Sequence, residues 1–472
     1  MPQALPPRDG SAALPRHWPL VYLAVGAVVG AGVIALYEAV ALAGTVLGQG
    51  IAGLRDATTT AGRIVTWHTA VHPWLVPLVV GAGALIASLL VTYLAPDAGG
   101  HGTDAAIGAV HRDSTAIPAS VGVVKICASA VLLGSGGSGG TEGPITHISA
   151  SLGSVLCRRL RIPQQQAWVV VTAALAAGVG TLFRAPLAGA VLGVEILYVA
   201  DATVEVLLPA ALATAVAYAE FGAVVGYGPM YGQLPVNVSW LRDIPISVGL
   251  GLVAGTAARL YVTCLHRTEE IFQRLPASVP RLVRPAVGGV AVGAIGVFLP
   301  AILGTGYGDV PVFLSRALLL HMAWWLVLLL PAAKILSTSL SIGSGGSGGV
   351  FGPALIIGCG TGAAVWRLLQ VLGLGPRSPA LFVVVCGAAC LGAAVRAPIA
   401  VTIMACELFG DISLAGPCLV AVVVAGRVVG PAQLYLSQRP TRALDPPLDR
   451  VLVPESLPVN VSTGALAPAA RS

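Results

Sequence analysis

Apolar residues in this chain are gathered into runs of about 20 residues, the length that spans a bilayer as a helix. They cover Leu20–Leu47, Trp74–Leu94, Pro245–Val262, Val283–Leu303 and Ala317–Ala333. Lipid offers no partner to an open backbone, so these runs predict an all-α polytopic protein, multi-pass in the cell membrane. Polar, Pro-rich sequence flanks the apolar body as a tail at 1–17 and a second tail at 437–472, which is too short to fold as a further domain. The transmembrane domain then runs from 18 to 436, with a polar loop around Arg55 to His72.

Composition sharpens this picture. Of 472 residues, 56% are hydrophobic and 10% charged, and the mean hydropathy is +0.87. Soluble domains carry roughly 25% charged residues, so a water-soluble fold is excluded. The net charge of +6 is no argument for nucleic-acid binding, because the arginines cluster (Arg158, Arg159, Arg161; Arg267, Arg274, Arg281, Arg284) as cytoplasmic loops do. No cleavable signal peptide is evident before the first apolar run. The eight cysteines sit in apolar stretches without CxxC or His spacing, which points to buried packing rather than disulfides or a metal. Asn237-Val238-Ser239 and Asn460-Val461-Ser462 match the glycosylation sequon, a match that arises readily by chance.

The chemistry is concentrated in one duplicated string. Gly134-Ser135-Gly136-Gly137-Ser138-Gly139-Gly140-Thr141-Glu142-Gly143-Pro144 recurs from Gly343 to Pro353, 209 residues later, with Val350-Phe351 replacing Thr141-Glu142. Lys125 and Lys334, the only two lysines, each precede their string by nine residues. Phe183-Arg184-Ala185-Pro186 with Glu195 returns as Val395-Arg396-Ala397-Pro398 with Glu407, each acid 11 residues after its arginine. This is internal duplication, with halves at roughly 18–230 and 240–436. In transporters such halves usually pack about a pseudo-two-fold axis with the substrate between them.

Glycine strings closed by Gly-Pro inside apolar sequence predict helices that break at membrane depth. Each break aims a helix N-terminus, with unpaired N–H groups and partial positive charge, into the interior. That suits a dehydrated monovalent anion without holding it by a full positive charge. A second Gly-rich break, Gly99-Gly100-His101-Gly102-Thr103-Asp104, predicts another such helix start. Glu142 is the lone acid in its stretch. Its carboxylate can occupy the anion site and leave when protonated, acting as gate and proton carrier. It can equally be a capping acid for its own helix. A flexible linker, a P-loop and a catalytic serine fit less well: the strings are embedded in apolar sequence, lack GxxxxGK[ST], and occur twice without a partnered histidine.

At these residues the sequence resembles the CLC family of chloride channels and chloride/proton antiporters. Gly140-Thr141-Glu142-Gly143-Pro144 is similar to that family's Gly-(Lys/Arg)-Glu-Gly-Pro motif, and Gly349-Val350-Phe351-Gly352-Pro353 to its Gly-x-Phe-x-Pro motif. The resemblance spans about residues 20 to 440. It implies two inverted-topology repeats with broken, tilted helices and a homodimer with one anion pathway per subunit, surrounded by lipid. It further implies Glu142 as gate and proton-transfer group, with the anion bound by His101, Gly140, Thr141, Gly143, Gly349, Val350, Phe351 and Tyr435, the last closing the site from the cytoplasmic side. No cofactor or metal is implied; chloride and protons are the substrates.

Three departures from the family pattern stand out. His101 occupies the serine position of a Gly-Ser-Gly-Ile-Pro motif whose Pro is missing, so it either donates to the anion or only caps a helix. Ile196 stands where proton-coupled members often carry a second glutamate, and Thr141 replaces a basic residue. The expectation is chloride/proton antiport through Glu142. The alternatives are a passive chloride channel of the same family and, remotely, a membrane-embedded enzyme using the Gly-Ser-Gly strings. A fluoride-selective member is disfavoured by the retained Gly143-Pro144 ending.

Overall fold

The computed structural model describes residues 18–55, 58–60, 63–66, 69–234, 236 and 238–442. The tail at 1–17, both sequon asparagines and residues 443–472 lie outside the described residues. In the first half the helices are α1 (Trp18–Ala43), α2 (Val76–Leu94), α3 (Thr103–Arg112), α4 (Ala119–Gly134), α5 (Glu142–Arg159), α6 (Gln164–Leu182), α7 (Pro186–Glu195) and α8 (Leu207–Val225). The second half supplies α9 (Trp240–Gln273), α10 (Arg284–Phe298), α11 (Val310–Leu314), α12 (Arg316–His321), α13 (Trp324–Gly343), α14 (Phe351–Val371), α15 (Ala380–Val395), α16 (Pro398–Phe409) and α17 (Ala415–Val429). Among the described residues eight helical stretches are long and apolar enough to cross a membrane, and there are five shorter apolar helices, α4, α7, α10, α15 and α16.

The duplication read from the sequence is a duplication of structure. α1 packs on α8 and α4 as α9 packs on α17 and α13, and α2 lies against its counterpart α10. The recurring Arg-Ala-Pro and glutamate have paired jobs. Arg184 and Arg396 end α6 and α15 with left-handed backbone (φ 54° and 61°). Their guanidinium groups donate to carbonyls just at or past the ends of α8 and α17, Val225 and Gly430 respectively. A cation is favoured at a helix C-terminus, where carbonyls lack intrahelical partners. The glutamates act at the other pole and across the repeats. Glu407 accepts from the N–H groups of Leu187 and Ala188 at 3.1 and 2.7 Å, capping α7. Glu195 accepts from Ile399 and Ala400 at 3.2 and 2.8 Å, capping α16.

Several sequence expectations are revised. Pro245–Val262 is part of one 34-residue helix, α9, whereas Ala317–Ala333 is broken between α12 and α13 at Met322-Ala323. The Arg55–His72 loop contains two antiparallel strand pairs, Leu54–Arg55 with Thr69–Ala70 and Thr58–Thr60 with Arg63–Thr66. Arg158, Arg159 and Arg284 stand at helix ends and Arg267 inside α9, rather than in loops. Cys127 is exposed and Cys264 half-buried, so cysteine burial is not uniform. The packed body also continues past Leu436, where the second tail was expected to begin. Ser437 donates its N–H and hydroxyl to Asp104 at 2.7 and 2.9 Å. Gln438 donates to the carbonyls of Ile196 and Val395 at 3.0 and 3.1 Å. A polar side chain is retained here because buried carbonyls need a donor.

Candidate anion site

The two glycine strings are interlocked. α4 and α13 end alike: Ser135 Oγ donates back to Leu132 O at 2.9 Å and Ser344 Oγ to Ser341 O at 3.1 Å. Gly136 and Gly345 then turn the chain at φ 105° in both copies, a conformation that L side chains rarely adopt. The second serine of each string reaches into the other repeat. Ser138 bonds Thr338 and Ser337 at 3.0 and 3.2 Å, and Ser347 meets Ser129 at 3.3 Å. At the centre Gly140 and Gly349 form an antiparallel bridge, each N–H donating to the other's carbonyl at 2.7 Å.

That bridge corrects the role expected of Gly140 and Gly349. Their N–H groups are engaged with each other, so their part is to hold the two helix starts together rather than to donate to an anion. Neither Ser135 nor Ser138 has a histidine partner among the described residues; both hydroxyls serve the scaffold.

Immediately beyond the bridge, α5 and α14 begin with their N-termini adjacent. An added Cβ on Gly349 would lie 2.6 Å from Gly143 N. Glu142, the first residue of α5, is buried with 1% exposure. Its carboxylate reaches across to the helix start of the other repeat. Oε2 accepts from Gly352 N–H at 3.0 Å, at the start of α14, and Thr141 Oγ1 reaches Oε1 at 3.5 Å. A carboxylate on a helix N-terminus is where the helix dipole and unpaired N–H groups favour an anion. A Cβ at Gly352 would meet the ends of the Glu142 and Tyr307 side chains, which would have to shift. Phe351 packs its ring against Phe183 at 5.6 Å, and Val350 is buried with its carbonyl accepting from Tyr261 Oη at 3.0 Å.

The third helix start is α3, preceded by Gly102 at φ 86°. His101 is brought beside it, its carbonyl against Gly143, and its ring lies 5.7 Å from that of Tyr435. Among the described residues His101 Nδ1 is buried without a hydrogen-bond partner, and the buried hydroxyls of Thr103 and Tyr435 have none but each other. Buried polar groups are rarely left so, and three converging groups that can donate are the chemistry a small anion needs. Asp104 holds Tyr435 in place through Ser437, two residues on.

Charge enters from the lysines. Both are buried. Lys125 Nζ donates to Ala98 O at 3.0 Å and Gly100 O at 2.5 Å; Lys334 Nζ donates to Ile302 O and Gly304 O at 3.0 and 2.9 Å. Both amines therefore lie beside the glycine turns that precede the helix starts, with their protons directed at carbonyls. The correspondence also exposes a repeat that sequence reading overlooked. Gly304-Thr305-Gly306-Tyr307 is the twin of Gly100-His101-Gly102-Thr103, 204 residues on. The backbones match, with φ 64° and 59° at Gly100 and Gly304, and 86° and 81° at Gly102 and Gly306. The alternating glycines were the available signal. Gly352 was likewise legible, as the residue preceding the second proline.

Comparison with known proteins agrees with this geometry. Residues 83–430 match the family described as voltage gated chloride channel. A ClcB-like chloride channel protein of Ralstonia nicotianae is 30% identical over 375 residues, covering 77% of this chain and 85% of that protein. The voltage-gated ClC-type chloride channel ClcB of Escherichia coli is 28% identical over 409 residues, covering 84% and 93%. Among solved structures, a slow cyanobacterial chloride/proton antiporter superposes with TM-score 0.74 at 20% identity, over 92% of this chain and 97% of that one. A CLC-type fluoride/proton antiporter gives 0.72 at 21% identity, over 90% and 98%. The fold is thus that of the CLC transporters, and the chain belongs to the voltage-gated chloride channel family of multi-pass membrane proteins.

Proposed function

We propose that this protein exchanges chloride, or a similar monovalent anion, for protons, with Glu142 as both gate and proton carrier. The observation that carries this reading is the Glu142 carboxylate seated on the Gly352 N–H at 3.0 Å, an anion position at a helix start. Protonation removes the negative charge that holds the carboxylate there, and a mobile anion takes over the amide. His101, Thr103 and Tyr435 provide the next set of donors along the path. Of the structural neighbours, two are described as proton antiporters, which fits the same reading. The working unit is a homodimer, each subunit with its own pathway.

One observation favours a passive channel instead. Ile196 is 1% exposed and apolar, and its carbonyl is taken by Gln438, so no acid serves protons at that place. Paired chloride and proton fluxes in proteoliposomes under a chloride gradient decide between them. Antiport drives protons uphill, and Glu142→Gln abolishes that movement while anion flux persists. Chloride flux without proton movement in the unaltered protein establishes the channel reading.

A further inference from the structure

Tyr307 begins a short turn, Tyr307–Asp309, in the loop that Lys334 clamps. The loop is also tied to the first glycine string. Gly304 N–H donates to Gly136 O at 3.1 Å and Gly139 N–H to Gly304 O at 3.3 Å. The Tyr307 ring stands edge-on to Phe183 at 6.3 Å, and its hydroxyl oxygen is buried with no hydrogen-bond partner among the described residues. A Cβ built on Gly352 would run into both this hydroxyl and the Glu142 carboxylate. A phenol O–H, a carboxylate and the Gly352 amide therefore converge on one spot. The outer face of the loop, at Gly304, Thr305, Gly306 and Gly308, lines an open cavity of about 360 Å³ that also touches Arg55 and Gly136.

We propose that Tyr307 is a specificity-determining residue of the anion pathway: its O–H donates, together with Gly352 N–H, to the anion that replaces the Glu142 carboxylate. The assignment rests on Glu142 being a displaceable occupant. The physical grounds are the unpaired buried hydroxyl and its rigid mounting. A tyrosyl O–H left unsatisfied in protein is costly, and an anion arriving at the Gly352 amide supplies its acceptor. One fixed donor also discriminates among anions. Losing it penalises chloride, which depends on strong donors to replace its water, more than nitrate or thiocyanate, which are weakly hydrated.

Tyr307→Phe tests this in the full-length protein, since it keeps the ring against Phe183 and removes only the hydroxyl. Chloride affinity measured by calorimetry is expected to fall by about ten- to a hundredfold, the worth of one hydrogen bond to a charged group. In proteoliposomes the chloride-to-nitrate flux ratio is expected to fall with it. Unchanged affinity and flux ratio overturn the proposal and leave Tyr307 a packing residue. A changed proton-to-chloride ratio at unchanged affinity also overturns it, because the hydroxyl then serves the carboxylate alone. Glu142→Gln run alongside keeps the two readings apart. If its proton movement survives, the gate reading fails whatever Tyr307→Phe does; if its proton movement is lost while Tyr307→Phe binds chloride normally, only the Tyr307 assignment fails.

Discussion

The Glu142 carboxylate bonds the N–H of Gly352 at 3.0 Å, so the acid of one repeat sits on the helix start of the other. Removing the carboxylate leaves that amide to the mobile anion. Glu142→Ala is expected to bind chloride at least about tenfold more tightly, given that hydrogen bonds to charged groups contribute about 1.5–3 kcal/mol, and to move no protons. A calorimetric chloride titration checks the first; weaker binding than the unaltered protein would contradict an occupant carboxylate.

Among the described residues the buried His101 Nδ1 has no hydrogen-bond partner and the buried Tyr435 hydroxyl none beyond Thr103, and the two ring centres lie 5.7 Å apart. If both face the anion, His101→Ala and Tyr435→Phe each weaken chloride binding, by about three- to tenfold for one donor lost. A His101 that only packs against α3 shows up as unchanged affinity with a lowered unfolding temperature.

The bridge between Gly140 and Gly349 tolerates no side chain. A Cβ at Gly349 would lie 2.6 Å from Gly143 N and 2.8 Å from Gly140 O, both backbone atoms that cannot move aside. Gly349→Ala is expected to destabilise by about 2–4 kcal/mol and to abolish transport. Gly308→Ala, with open space around its position, serves as the neutral control. Thermal unfolding in detergent separates them, and equal midpoints would refute the packing argument.

Glu195 and Glu407 each cap the partner repeat's helix through two N–H groups. Replacing either by Ala should cost about 1–2 kcal/mol, the usual worth of a lost cap. The two caps share no hydrogen-bond partner, so the double variant should lower the unfolding midpoint by the sum of the single effects. A double variant no worse than a single one would mean that the caps are not independent.

Much of this was legible in the chain. Membrane helices follow from apolar runs because lipid forbids unpaired backbone, and a duplicated string carries its own evidence of symmetry. Glu142 stands out as the lone acid of its stretch, whereas Phe351 and Tyr435 are singled out by the resemblance to the CLC family. What the one-dimensional pattern could not convey was which groups meet. That Gly140 and Gly349 spend their amides on each other, that Glu142 reaches the start of α14, and that Asp104 holds Tyr435 through Ser437 all depend on crossings between residues some 200 to 330 apart. Tyr307 was hidden for the same reason, being an ordinary tyrosine until the fold sets its hydroxyl against Gly352. Hydrophobic patterning acts locally and is written along the chain, whereas hydrogen-bond partnership is a matter of distance and direction in space. The apolar runs and the repeated string determine a duplicated membrane protein, and only the interlocking of its halves decides which donors gather at its helix starts.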